Sequence, residues 1–515
     1  MATSTTRRAF TPFTIRSNFA LIVTTLSSSD QPINHTSYDN QQHQDSLPSN
    51  FLDKLRSEVP GLKISVNPYD LESHGKGESY LPCKRPEAVL FPSSTRDVAS
   101  ILRRCSEDRV PVIPFGAGTS LEGHVSAIHG GVSLDMAKFD DVNIPDDSTL
   151  KDRHVRVGAG VTRLRLNDAL RHSGMQFMVD PGADATLGGM VACGASGTSA
   201  VKYGTMRENI LALECVLPDG TIATCGTSAL KNSAGYDLVG LMTGSEGTLG
   251  VITSVVVKLH PIPDNITAAV CTFQTLHEAA EAVSTMMMMS VPVERCELLD
   301  ACSIKAFNLY RKKHDYEGSS EMDVKPTLFL EFSGPSPSTV ENQINMAKSI
   351  CLDDFGASNF IFAKEEKQRK ALWSARHKLY YASINSRKGA KSALVTDACV
   401  PLSRLADLIT STAVDVKELN VVGLNFGHAG DGNFHCILPI RDDDSNEYMS
   451  RVHRVNSNLI QRTIDAGGTC TGEHGVGYGK KKYLVKQFGE GGVEFMRRVK
   501  KGIDPKNIMN PGKIV

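Results

Sequence analysis

The sequence has no excess of either charge: 56 Lys and Arg stand against 57 Asp and Glu, a formal −1 at pH 7 over 515 residues. Without a basic field there is no electrostatic case for a nucleic-acid partner. No apolar run approaches the roughly 18 residues of a membrane span, so no transmembrane segment is expected. The run Met286-Met287-Met288-Met289 is too short for that and is expected to close a buried helix. Cysteine occurs twelve times but always singly, with no Cys-x-x-Cys and no paired spacing. A disulfide framework or a zinc ribbon is therefore not expected, and a reducing compartment suits the chain better. Acidic residues are missing at the start: none precedes Asp30, while Arg7, Arg8, Arg16 and many Ser and Thr do. Residues 1–48 thus read as a mitochondrial transit peptide, or as a plain disordered leader, and enter no fold argument. The final Gly512-Lys513-Ile514-Val515 carries no peroxisomal address.

The rest, in a chain 41% hydrophobic and 22% charged, is ordinary for a globular enzyme and long enough for more than one domain. Short apolar runs bounded by glycine and proline predict strands at Ala88 to Pro92, Val110 to Pro114, Gly131 to Leu134, His154 to Val157, Leu211 to Leu217 and Gly250 to Leu259. Between the first two, Ser94-Thr95-Arg96-Asp97 opens a helix whose Val98, Ile101 and Leu102 share one face. After Pro261-Ile262-Pro263 the texture changes. Strands at Ala268 to Phe273, Val293 to Leu299 and Thr327 to Phe332 are separated by helical patterns, which predicts one antiparallel sheet with helices on one face.

Glycine is placed with purpose. Pro114-Phe115-Gly116-Ala117-Gly118-Thr119-Ser120 leaves a strand, and its glycines would let backbone N–H groups close on an anion. It is a poor nicotinamide-type fingerprint, because Glu122 stands where a helix would open. Three more segments, Asp180 to Gly189, Gly194 to Gly204 and Thr243 to Ile252, are crowded with Gly, Ala, Ser and Thr. One such segment is no more than a tight turn. Four in one stretch suit a long, flat, polar ligand lying against backbone.

The strongest local pattern is His428-Ala-Gly-Asp-Gly-Asn-Phe-His435, flanked by apolar runs at Val421 to Phe426 and Phe434 to Ile440. A hairpin turning at Gly430-Asp431-Gly432-Asn433 would bring both imidazoles to its base. Gly472-Glu473-His474-Gly475 follows. His428, His435 and Glu473 form an open-site ligand set for a divalent metal, with His474 spare beside it as a general base. The donor set does not separate zinc from manganese. Asp431, at the apex, is expected to cap the turn.

Taken together, these motifs resemble flavoproteins of the vanillyl-alcohol oxidase and p-cresol methylhydroxylase type. Their D-2-hydroxyacid dehydrogenase branch, and within it the mitochondrial cytochrome-linked D-lactate dehydrogenases, is most similar. The resemblance rests on Pro114 to Gly123, Gly194 to Thr205, His428 to His435 and Gly472 to Gly477, and spans roughly residues 50 to 515. It implies an α+β protein: a two-subdomain FAD-binding domain over 49–262, completed by 480–515, and an antiparallel-sheet substrate (cap) domain over 263–479 carrying the metal site. It places the FAD pyrophosphate on Gly116, Ala117, Gly118, Thr119 and Ser120 beside Pro114. The rest of the FAD falls to Gly188, Gly189, Ser196, Gly197, Ser199, Tyr203, Gly204, Gly247, Gly250, Ile252 and Asn510. Some relatives attach FAD through a histidine on the first loop; Thr119 stands there and His124 is displaced from it, so the FAD is expected to be non-covalent. The resemblance implies the same metal ligands, and assigns the substrate carboxylate to Arg376, three residues after the chain's single tryptophan, Trp373.

The implied reaction is oxidation of D-lactate to pyruvate, with hydride passing to FAD and electrons on to cytochrome c. Relatives that take D-2-hydroxyglutarate carry a lysine where this chain has Val395 and an asparagine where it has Ile437. Neither position welcomes a second carboxylate here, which favours a small monocarboxylic hydroxyacid. The alternative within the class is another D-2-hydroxyacid (glycolate, D-2-hydroxyglutarate or a longer one) with a different acceptor. A metal-dependent hydrolase would use the same histidines but leave the glycine-rich segments unexplained. A non-redox flavoprotein would leave the metal motifs unexplained.

Overall fold

The computed structural model describes residues 46–142, 144, 151–314 and 321–515. The leader reading for residues 1–45 lies outside them. The first sheet contains β1 (Lys63–Ser65), β2 (Ala88–Phe91), β3 (Val112–Phe115) and β4 (Val132–Asp135) in the order β1-β2-β4-β3. Its β2, β4 and β3 are parallel, so each connection must cross over a face. The helix Thr95–Asp108 does this between β2 and β3. Ser94 caps it by accepting the Asp97 N–H, and Val98, Ile101 and Leu102 are wholly buried.

A second, antiparallel sheet follows: β5 (His154–Gly158), β7 (Ile210–Val216), β8 (Ile222–Gly226) and β9 (Val251–Lys258), in the order β5-β9-β7-β8. A small pair, β6 (Met175–Gln176) with β10 (His260–Pro261), lies beside it. One continuous apolar core joins the two sheets and takes in Ile508 and Met509 from the C-terminus. That tail returns to β3, where Met509 bridges Val112 and the Asn510 N–H donates to the Val112 carbonyl at 2.8 Å.

The third sheet is built from β11 (Asn265–Thr272), β12 (Arg295–Leu299), β13 (Thr327–Gly334), β14 (Asn359–Ala363), β15 (Ser392–Val395), β16 (Ala398–Cys399), β17 (Leu424–Gly427) and β18 (Asn433–Ile440). Seven run in the order β14-β11-β13-β12-β17-β18-β15, and β16 pairs with β18. All pairings are antiparallel. The expectation of helices on one face needs correcting, because both faces are covered. Along β13, Leu328, Leu330 and Phe332 pack with the helices Leu276–Met288 and Pro337–Ser349, while Phe329 points the other way, towards Trp373, Leu379 and Phe307. An apolar run without strict alternation is what a strand buried on both sides requires. The methionine run closes the helix Leu276–Met288, whose inner face is buried through Met286, while Met288 and Met289 at its end are 75% and 56% exposed. Among the described residues no helix is long and apolar enough to cross a membrane.

Candidate active site

β17 and β18 form the hairpin, with Phe426 opposite His435. The turn closes through one helical turn, Ala429–Asp431, and then Gly432, which sits at φ 81° where a side chain would meet the Val400 carbonyl at 2.1 Å. Asp431 accepts the Asn433 N–H at 3.2 Å and so caps it.

The hairpin brings the two imidazoles onto one carboxylate oxygen. His428 Nε2 lies 3.0 Å and His435 Nε2 3.2 Å from Glu473 Oε1. Each ring is fixed from behind. His435 Nδ1 is 3.0 Å from the Thr396 carbonyl, which can only accept, so Nδ1 carries a proton and Nε2 is the nitrogen turned to Glu473 and open to an ion. His428 Nδ1 is 2.6 Å from Glu297 Oε1. A histidine whose outer nitrogen binds a carboxylate or carbonyl is the usual arrangement around a metal, so these residues fit a divalent ion. Burial opposes charge on His428, but Glu297 and Glu473 outweigh it and hold its pKa well above the ordinary value. Burial likewise opposes charge on Glu473, and His428 and His435 hold it well below the carboxylate range.

His474 stacks on His435, and burial lowers its pKa to about 4. The turn that presents it is organised by Asp397, whose Oδ2 accepts the N–H groups of Glu473 and His474, both at 2.8 Å, and the Thr471 hydroxyl at 2.7 Å. Asp397 Oδ1 accepts from Asn433 Nδ2 at 2.8 Å. Asp397, His435, Glu473 and His474 also lie close enough to hold an ion. The oxygens of Asp397 are already engaged by four donors, which leaves His428, His435 and Glu473 as the better set.

These groups face a cavity of about 650 Å³. Its wall includes the expected Arg376, His428, His435, Glu473 and His474. It also includes Pro114, Gly116, Ala117, Gly118, Thr119, Ser120, Gly188, Gly189, Ser196, Gly247, Gly250, Ile252 and Asn510. The wall fits the FAD that the resemblance implies. At Gly116 a side chain would meet Thr186 Oγ1 at 2.3 Å, so backbone itself forms the surface. The hydroxyls of Ser120, Thr186 and Ser245, all lining residues, are buried without a hydrogen-bond partner in the protein.

Four expected cofactor residues lie off this wall. Gly197 packs against Asp180, where a side chain would meet its backbone at 2.4 Å. Ser199 donates from N and Oγ to Asp180 Oδ1 at 3.0 and 2.9 Å. Tyr203 packs on His260, and Gly204 ends the short helix Ala200–Tyr203. Gly197 and Ser199 brace the Asp180 turn, whose residues 180–186 do line the cavity.

Sequence reasoning missed Glu297, although a lone acid inside Cys296-Glu297-Leu298-Leu299 was a visible signal. It is wholly buried, and its Oε2 accepts from Arg376 Nε at 2.6 Å. The Arg376 guanidinium also lies 4.7 Å from the Phe426 ring centroid. Lys378, Tyr380, Tyr381 and Phe426, also on the wall, carried no such signal.

The family profile for an FAD binding domain matches residues 86–226, and that for the C-terminal domain of FAD linked oxidases matches 262–514. The chain is 44% identical to a probable mitochondrial D-lactate dehydrogenase of Danio rerio, over 90% of this chain and 91% of that one. It is 41% identical to the D-lactate dehydrogenase (cytochrome), mitochondrial, of Arabidopsis thaliana, over 86% and 76%. Among solved structures, p-cresol methylhydroxylase with substrate bound superposes with a TM-score of 0.73 at 15% identity, covering 91% of this chain and 97% of that one. That likeness speaks for the fold alone: an α+β fold of the p-cresol methylhydroxylase type. The chain belongs to the FAD-linked oxidases, in the family of the mitochondrial D-lactate dehydrogenases.

Proposed function

We infer that this protein oxidises D-lactate to pyruvate with FAD bound non-covalently, and passes the electrons to cytochrome c in the mitochondrion. The observation that carries the reading is the meeting of His428, His435, Glu473, His474 and Arg376 on one cavity that also runs along Gly116 to Ser120. The relatives' names support the substrate, and the cytochrome-linked relative supports the acceptor. In this reading residues 49–262 with 480–515 hold the cofactor, and 263–479 hold the substrate.

Arg376 binds the substrate carboxylate, a role that suits a planar cation fixed by Glu297 and Phe426. Val395, Ile437 and Phe426 present an apolar wall to the rest of a small hydroxyacid. His428, His435 and Glu473 would hold a divalent ion, zinc or manganese, which lowers the pKa of a ligated hydroxyl and fixes its orientation. His474 takes the hydroxyl proton at Nε2, the nitrogen on the Glu473 side, 4.0 Å from Oε1. FAD, when bound, supplies the hydride acceptor.

The test is anaerobic mixing of the purified yellow protein with D- and L-hydroxyacids. D-lactate is expected to bleach the flavin absorbance and L-lactate to leave it unchanged. A colourless protein, or bleaching by D-2-hydroxyglutarate but not D-lactate, overturns the reading.

A further inference from the structure

β12 carries two charged side chains two positions apart, hence on one face, in an otherwise apolar strand. Both are turned to the helix Glu366–His377. The Arg295 guanidinium lies 5.1 Å from the Trp373 ring centroid, and Glu297 reaches Arg376 one helical turn further on. Arg295 is itself held by Glu331 at 3.2 Å and by Asp180 at 3.3 Å. The helix that carries the substrate-binding arginine is thus gripped at two points by one strand. Only Glu297 touches the metal-binding side as well.

We propose that Glu297 is a positioning residue that sets two parts of the site at once, the direction of the Arg376 guanidinium and the tautomer of His428. The proposal rests on the reading of Arg376 as the carboxylate anchor and His428 as a metal ligand. Glu297 Oε2 accepts from Arg376 Nε, and Oε1 accepts from His428 Nδ1, each at 2.6 Å. Both partners donate, so both positions need an acceptor. A carboxylate supplies two, and no neutral side chain of that shape does. With Nδ1 donating to Glu297, His428 Nε2, which faces Glu473 Oε1 at 3.0 Å, is the nitrogen on which an ion would take the place of the proton.

An isosteric amide makes the argument testable, because it cannot serve both partners. In Glu297→Gln, an amide oxygen on Arg376 puts the NH2 group against His428 Nδ1. That forces the proton to Nε2 and removes the lone pair a metal needs. The opposite flip sets the NH2 against the Arg376 N–H and releases the guanidinium.

The experiment compares wild type, Glu297→Gln and Glu297→Ala, each required to retain FAD at the wild-type ratio. Metal affinity is measured by equilibrium dialysis of the metal-stripped protein with zinc or manganese. KM and kcat for D-lactate are measured at saturating metal. Loss of a supporting partner of a metal-bound histidine is expected to weaken metal binding about 10- to 100-fold. A displaced guanidinium is expected to raise KM about tenfold or more. Glu297→Gln is expected to show at least one of these losses and Glu297→Ala both. The proposal is overturned when Glu297→Gln keeps metal affinity and KM within twofold of wild type, or when an FAD-loaded Glu297→Ala loses only one. Wild-type protein that D-lactate does not bleach would instead defeat the underlying functional reading.

Discussion

The rings of His435 and His474 lie parallel to within 7°, with centroids 4.9 Å apart. One is held by the Thr396 carbonyl and the other follows Glu473 in a turn anchored by Asp397. The stack puts a candidate base one ring thickness from a candidate metal ligand and divides their roles. Removing His474 takes away the proton acceptor without touching the glycine-lined wall. His474→Ala is therefore expected to keep FAD and lose flavin reduction by D-lactate about 10²- to 10⁴-fold, read by anaerobic stopped flow. A rate within a few-fold of wild type rules out His474 as the base.

His435 makes the complementary case. Its Nδ1 is committed to a backbone carbonyl, so Nε2 is the nitrogen left for an ion. His435→Ala is expected to purify with FAD but with metal reduced to a small fraction of wild type by elemental analysis. Full metal together with full activity would show that the ion sits elsewhere.

The hairpin and the glycine-rich loops differ in how well the sequence revealed them. The hairpin was legible because its apolar runs and its Gly-Asp-Gly-Asn turn are local. The glycine-rich loops were legible as ligand wall, but not residue by residue. Gly197 and Ser199 have the same composition as the wall and instead brace the Asp180 turn behind it. Composition cannot tell backbone that approaches a ligand from backbone that approaches another turn. Glu297 stood out as a lone acid in an apolar run, but what it joins did not: its partners stand 79 and 131 residues away, and only the sheet order brings them together. The covered second face of the third sheet was readable in hindsight from Leu328-Phe329-Leu330-Glu331-Phe332, where alternation fails.

Away from the site, Arg387 grips Asp444, with Nη1 donating to Oδ2 at 2.6 Å and Nη2 paired to Oδ1. The Arg387 hydrogen bonds lower the Asp444 pKa to about 2, against about 3.9 in an unfolded chain. A carboxylate depressed on folding stabilises above its unfolded pKa, and the contribution is lost as pH falls through the folded value. Asp444→Asn is expected to cost about 2 kcal/mol at pH 7 and roughly half that at pH 3. Urea unfolding of variant and wild type at both pH values measures it. An equal difference at both would mean the pair is not what the substitution removes.

Val395 and Ile437 are direct cross-strand partners in the β15–β18 ladder, and both line the cavity beside His435. A substrate with a second carboxylate would press that charge against two aliphatic side chains, and an unpaired buried carboxylate costs several kcal/mol, roughly. Val395→Lys supplies the missing cation at a position whose chain can lie along the same wall. The variant is expected to raise kcat/KM for D-2-hydroxyglutarate relative to D-lactate by about tenfold, since a new charge-assisted hydrogen bond is worth about 1.5–3 kcal/mol. The measurement is the ratio of the two kcat/KM values, which cancels any general loss from the substitution. A ratio that stays at the wild-type value places the substrate's distal end elsewhere and removes the Val395–Ile437 pair from the specificity argument.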